Sequence, residues 1–182
     1  MCGITTVGHG TLAAGDFARL MDHAGPEVLV DVRRYPGSRR HPHFAADEMA
    51  AWLPESGLGY RWLPSLGGRR TPAAGSANLG LRNKQFRAYA DHMASEEFAG
   101  GVAELVALAQ DQPVAILCAE SVWWRCHRRL LADHLVLVAE VSVEHLFHDG
   151  RLAEHPPTAE ARRAGDHLVY DVGVDRPLLA DG

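Results

Sequence analysis

An α/β domain with a mainly parallel sheet is the fold class this sequence predicts, on three observations. Short apolar runs alternate with helical patterns up to about residue 150. The runs are continuously apolar, as in strands covered on both faces. Turn formers such as Gly25-Pro26 and Pro36-Gly37 punctuate them. At roughly 150 residues per domain, a chain of 182 residues favours one domain. Residues 1–150 are read as a Rossmann-like domain, a five-stranded sheet with helices on both faces. Residues 151–182 are polar, contain Pro, and are read as a C-terminal tail.

GITTVGH, β-branched and ending on Gly, opens the pattern as a short buried strand. Phe17, Leu20, Met21 and Ala24 then fall at helical spacing before Gly25-Pro26 stops the helix. EVLVDVR is the second strand, and YPGSRRHPHF an ordered loop. A helix over 46–55 and a strand in GYRWLPSLGG follow, running into the irregular, Gly-rich stretch RRTPAAGSANLG. Helical patterns around 84–94 and 96–110 precede PVAILCAE, the clearest strand of all. CHRRLLADHLVLVA reads as the next helix and VSVEHLF as the last strand. Alternation of this kind implies right-handed crossovers. An order of 3-2-1-4-5, with the first and fourth strands adjacent, is expected.

Ligands of such sheets gather beyond the carboxyl ends of the strands, above all where strand order reverses. That rule selects His9, then Asp31 and Arg33, then Cys118 and Glu120, and the turn leading into Cys126, His127 and Arg128. His9, Cys118 and Glu120 are expected to meet. Cys126 sits at a helix start between Arg125 and Arg128, surroundings that favour the thiolate, which is both the nucleophile and the metal-binding form. Cys118, ending an apolar strand, is divided evenly between a reactive thiol and a small core residue. Three Cys are too few for a disulfide framework, and Cys2 is set aside.

Net charge is -5, yet Lys84 is the only lysine among 18 basic residues, and the arginines cluster. Arg33, Arg34, Arg39 and Arg40 lie in one loop, Arg69 and Arg70 in another, and Arg125, Arg128 and Arg129 around the helix start. All three groups fall on the same expected edge. A focused site for a phosphate, carboxylate or nucleotide follows, because the guanidinium fork pairs with such groups bidentately. An extended nucleic-acid surface is the weaker alternative, since the domain as a whole is acidic. Trp123 and Trp124 flank the cysteine loop, where either could stack on a planar ligand.

These residues resemble a bacterial family, the domain-of-unknown-function 488 proteins. The matching stretches are TTVGHG, VLVDVRRYPGSRRHPHF, GYRWLPSLGGRR, NKQFRAYADHM and above all ILCAESVWWRCHRRLLADHL. The resemblance implies motif positions at His9, Asp31, Arg33, Pro36, Ser38, Arg39, Gly67, Gly68, Cys118, Glu120, Cys126, His127 and Arg128. This chain departs from the pattern at Gly8-His9-Gly10-Thr11, where relatives often carry Ser or Tyr.

The leading expectation is a small cytosolic enzyme acting on an anionic, nucleotide- or nucleobase-like molecule. Arg33, Arg39, Arg125, Arg128 and Ser38 would hold the anion. Cys126 or Cys118 would be the reactive thiol, and Glu120 with His9 or His127 would move protons. Asp31, Trp124, Gly67 and Gly68 complete the expected pocket. One rival is a non-catalytic anion- or nucleic-acid-binding module with structural cysteines. Another is a metalloprotein using Cys118 and Cys126 with His127 and, as the further donor, His9. The tripeptide Cys118-Ala119-Glu120 resembles zinc deaminases, but no PCxxC follows it. No run reaches the roughly 18 apolar residues of a membrane helix, and the N-terminus lacks a basic-then-apolar leader. A reducing compartment without membrane contact is expected, with cofactor and oligomeric state left open.

Overall fold

The computed structural model describes residues 3–37 and 39–174. Five helices cover the two faces of a mostly parallel sheet, as the apolar pattern predicts. In chain order the elements are β1 (Gly3–Gly8), α1 (Ala14–Ala24), β2 (Val28–Asp31), α2 (Ala46–Glu55) and β3 (Gly59–Trp62). Then come α3 (Lys84–His92), α4 (Glu96–Asp111), β4 (Val114–Cys118), α5 (Arg128–Leu137) and β5 (Ser142–Leu146). Three short strands follow, β6 (Leu152–Glu154), β7 (Ala161–Ala164) and β8 (His167–Tyr170).

Local sequence accounts for the helix ends. Gly25 ends α1 at φ 71°, a left-handed position glycine adopts without strain, and its N–H bonds the Met21 carbonyl. The Asn83 side chain caps α3 by accepting the Gln85 amide at 2.8 Å, and Ser95 caps α4 at the Phe98 amide. No helix among the described residues is long and apolar enough to cross a membrane.

The sheet has six strands in the order β3-β2-β4-β1-β5-β6, which corrects the expected count and order. β4 and β1 are neighbours as expected, but β4 lies between β2 and β1 rather than outside them. All five residues of β4 are buried, so this most apolar strand takes the centre, where both faces and both edges are covered. Along it Val114 and Ile116 pack under α3, α4 and α5, whereas Ala115 and Leu117 pack under α1 and α2. Those are the two faces of a strand with period 2. The sixth strand, β6, runs antiparallel to β5 and is three residues long and largely exposed. An edge strand of that length carries too little apolar pattern to show in sequence.

The residues after 150 also reach the core. Tyr170 is fully buried, and its hydroxyl donates to Asp133 of α5 at 3.0 Å. His155 Nε2 donates to the same carboxylate at 2.8 Å and the Thr158 amide at 2.8 Å.

Gly8, at the end of β1, faces the backbone that follows β4: a Cβ there would overlap the Glu120 carbonyl oxygen and meet the Arg128 guanidinium at 2.7 Å. Gly8→Ala is expected to cost about 3 kcal/mol or more, since neither backbone can retreat. Gly100, exposed inside α4 with open space around it, gives the opposite sign. Gly100→Ala is expected to add about 1 kcal/mol through helix propensity. Thermal denaturation of both variants checks the pair: a Tm several degrees below wild type for the first, and roughly 2–4 °C above it for the second.

Candidate functional site

Parallel pairing of β1 with β4 brings Gly8 opposite Cys118, and the chain continues in register past the strand ends. The His9 amide donates to the Cys118 carbonyl at 3.0 Å, and the Gly10 amide to the Ala119 carbonyl at 2.9 Å. A cavity of about 630 Å³ opens above these carboxyl ends. Its wall brings together His9, Arg33, Cys118, Glu120, Cys126 and His127, all singled out in the sequence, with Arg39, Arg125 and Gly68 around them.

The floor is a cluster of two thiols and an imidazole. Cys126 Sγ and Cys118 Sγ share a hydrogen bond at 3.0 Å. His127 Nδ1 lies 3.6 Å from the first sulfur and 3.8 Å from the second. Its other nitrogen, Nε2, donates to the Val32 carbonyl at 3.2 Å, which leaves the Nδ1 lone pair facing both sulfurs. Gly68 lets this ring in, because a Cβ there would stand 3.0 Å from Nδ1. Gly67 does the same for the backbone of Arg34.

The two thiols are unequal. Cys118 is pushed up to about 12, first by its hydrogen bond to Cys126 and then by burial. Burial also opposes ionisation of Cys126, but the Cys118 hydrogen bond, the Arg128 charge and the Arg128 backbone amide outweigh it and hold this thiol down to about 6. Cys126 stands two residues before the start of α5, so the partial positive charge of a helix N-terminus acts in the same direction. Among the described residues the three side chains are also a group whose donor atoms lie within 4.8 Å of one another. Such a soft sulfur and nitrogen set could hold a zinc-class cation.

Arg128 does not line the cavity. It is 1% exposed, donates to the Glu120 carbonyl, and reaches Thr6 Oγ1 at 3.5 Å. Thr6 bonds His145 Nδ1 at 2.6 Å, and His145 Nε2 bonds His155 Nδ1 at 2.9 Å, so a buried chain runs from Arg128 to Asp133. Donation from the arginine end toward the carboxylate, with neutral imidazoles, gives each hydroxyl and ring nitrogen of the chain a matched role, while Arg128 Nε is buried with no partner among the described residues. Burial, followed by the charges of His155 and Arg128, holds His145 at about 3, in keeping with that assignment.

Arg33 is also occupied. It grips Asp31 through Nε at 2.8 Å and Nη2 at 2.6 Å, and gives a further bond to the Phe44 carbonyl. Its Nη1 donates to His9 Nε2 at 3.2 Å, while His9 Nδ1 donates to the Gly10 carbonyl. Both nitrogens of His9 are thus engaged, and burial with the Arg33 charge holds its pKa at about 4. His9 is a neutral wall residue stacked 4.2 Å from Phe44, in the same cavity as the cysteines but not one of the three grouped side chains Cys118, Cys126 and His127.

The rim is arginine-rich. Arg34, Arg39, Arg40, Arg69 and Arg125 line it, and Glu120 is the one carboxylate among the lining residues. Among the described residues no carboxylate is in ion-pair distance of these five, whereas Arg70 is tied to Glu97 and three carbonyls. Arg69 holds φ at 56°, a left-handed position uncommon outside glycine. Trp124 is 45% exposed and outside the cavity, and Trp123 stacks on His145 at 4.1 Å. Ser38 lies outside the described residues. Sequence reasoning missed Tyr89, which bonds the Leu66 carbonyl and sits edge-on to His127 at 5.0 Å. Its helical spacing with Phe86 marks a buried face, with nothing to say that the face ends at a cavity.

The family model described as "Domain of unknown function DUF488" matches residues 14–135, more than half of the chain. No curated protein and no solved structure matches it.

Alkylation by neutral iodoacetamide, followed at each cysteine by peptide mass, reads the thiol asymmetry. Thiolate is the reacting form, so the Cys126 rate is expected to rise through pH 6 and level off by about pH 7.5, while Cys118 stays unreactive to pH 9. A Cys126 profile centred near the ordinary 8.5 would contradict the assigned environment.

Proposed function

The chain belongs to the DUF488 family, and from that premise we propose that it is an enzyme acting on an anionic small molecule, with Cys126 as its nucleophile. One observation carries the proposal. Of the two cysteines among the described residues, the less basic forms the floor of a cavity whose rim presents five arginines with no carboxylate of the described residues in ion-pair distance. A phosphate, carboxylate or nucleotide would take bidentate contacts from Arg39, Arg69 and Arg125, which are exposed at the cavity mouth.

Roles divide by occupancy. Arg33 and Arg128, whose guanidinium groups are committed to Asp31 and the Glu120 carbonyl, are positioning residues. The first fixes the loop that carries Arg34, Arg39 and Arg40; the second favours the Cys126 thiolate. His127 Nδ1 is placed to take or return a proton at either sulfur, and Glu120 to do so at the cavity wall. Charge on the rim also raises the local concentration of anions around an acidic protein of net charge -5.

Thermal-shift titration with inorganic phosphate, pyrophosphate and adenosine monophosphate tests the anion site. An anion at 100 times its Kd is expected to add about 2.7 kcal/mol, or roughly 5–10 °C in Tm. Arg39→Ala and Arg125→Ala are each expected to weaken that anion about tenfold, as loss of a charged hydrogen bond does. If no anion moves Tm, or if both variants respond as wild type does, the proposal fails.

A further inference from the structure

A single nucleophile does not account for the second thiol. Acyl or glycosyl transfer to Cys126 would need a base and an anion-binding rim, both of which the cavity has. It would not need another sulfur 3.0 Å away. That separation is about 1 Å longer than a disulfide bond. The segment between the two cysteines is held at the Glu120 carbonyl by Arg128 and at Trp123 by stacking on His145, so the remaining approach of about 1 Å falls to the two cysteine side chains. His127 Nδ1 faces both sulfurs with its lone pair, within 3.8 Å of the farther one. An acceptor in that position serves the thiol that must lose its proton second.

We infer that Cys126 attacks and Cys118 resolves, so that the anion held by the arginine rim is a disulfide-bearing small molecule and the reaction is thiol–disulfide exchange. This rests on the proposed anion site and names its substrate class. In the first step the Cys126 thiolate attacks one sulfur of the substrate disulfide. A Cys126–substrate disulfide forms, the substrate S–S bond breaks, and one half leaves as a thiolate. In the second step Cys118 gives its proton to His127 and attacks Cys126 Sγ. The Cys118–Cys126 disulfide forms, the mixed disulfide breaks, and the other half leaves as a thiolate that takes up a proton. Two protein thiols are oxidised and one substrate disulfide is reduced to two thiols. An external dithiol returns the protein pair to the reduced state by the same exchange in reverse.

The arginine rim gives the substrate its charge. Glutathione disulfide, which is anionic, and cystamine, which is cationic, carry the same reacting bond and separate the two parts of the inference. The full-length chain, fully reduced and stripped of metal, is mixed with each probe and read by intact mass and released thiol. Wild type is expected to lose two hydrogens and release two glutathiones per chain, with no lasting adduct. Cys118→Ser is expected to stop at one glutathione adduct, located on Cys126. Rates with glutathione disulfide are expected to exceed those with cystamine by about tenfold or more after division by each probe's rate with free cysteine, and Arg39→Ala with Arg125→Ala to remove most of that preference.

A lasting adduct on Cys126 of wild type, located by peptide mass apart from any on Cys2, would overturn the resolving role of Cys118. No released thiol and no loss of two hydrogens on wild type, while phosphate or adenosine monophosphate still raises Tm, would overturn the exchange reaction and leave the anion site standing. Equal normalised rates with the two probes would overturn the anionic substrate class. About one tightly held zinc per chain before stripping, lost in both Cys118→Ser and Cys126→Ser, would assign the pair to a metal instead. The wild-type readings need no substituted chain, so a variant that folds poorly leaves the test intact.

Discussion

The hydrogen-bonded register between β1 and β4 is the constraint on which the site depends. It sets Gly8 beside Cys118, and the missing side chain at Gly8 lets the Glu120 carbonyl come close enough for the Arg128 guanidinium to reach it. With that carbonyl pinned, the turn from Ala119 to Arg125 returns Cys126 to within 3.0 Å of Cys118. A side chain at Gly8 would push the turn outward and separate the sulfurs. Backbone packing between two central strands, rather than any contact among the reactive groups, therefore sets the geometry of the floor.

Charge is arranged in two layers around that floor. Beneath it the two guanidinium groups are engaged, Arg33 by a carboxylate and Arg128 by neutral acceptors, with Arg128 Nε left without a partner among the described residues. Arg33 is neutralised by Asp31, and Arg128 faces a carbonyl, a hydroxyl and a chain of imidazoles ending on Asp133. Above it the arginines of the rim face solvent without carboxylate partners among the described residues. Burying unmatched charge is costly, whereas leaving it at a cavity mouth costs little and attracts an anion. The division explains why a chain acidic overall can carry a local positive site.

Much of this was readable in the residues. The apolar run PVAILC announced a strand buried on both faces, and the 3.6-residue spacing of Phe17, Leu20 and Met21 announced α1. The rule that ligands gather at carboxyl ends located His9, Cys118 and Cys126 together. What escaped depends on partners far apart in sequence. Arg128 looked like an exposed anion binder because arginine is rarely buried, and its burial rests on Thr6 and on a carbonyl eight residues before it. Of the strands after residue 150, β6 and β7 escaped because short, largely polar strands have almost no periodic signal, and β8 because its alternation, with Leu168 and Tyr170 inward, lasts only four residues. Asp31 and Arg33 are a different case. Two residues apart at a strand end, they fall on one side of the chain, and that spacing alone could have shown the pair that occupies Arg33.

The claim that the arginine rim delivers anions to Cys126 has a direct measure in the relative rates of two alkylating agents that differ only in charge. Iodoacetate is an anion and iodoacetamide is neutral, and their rate ratio at Cys126 can be divided by the ratio for free cysteine at the same pH and salt. The expected result is a normalised ratio of about ten or more at low ionic strength, falling as salt screens the rim. A normalised ratio at or below one would mean that the rim does not act on the thiol beneath it.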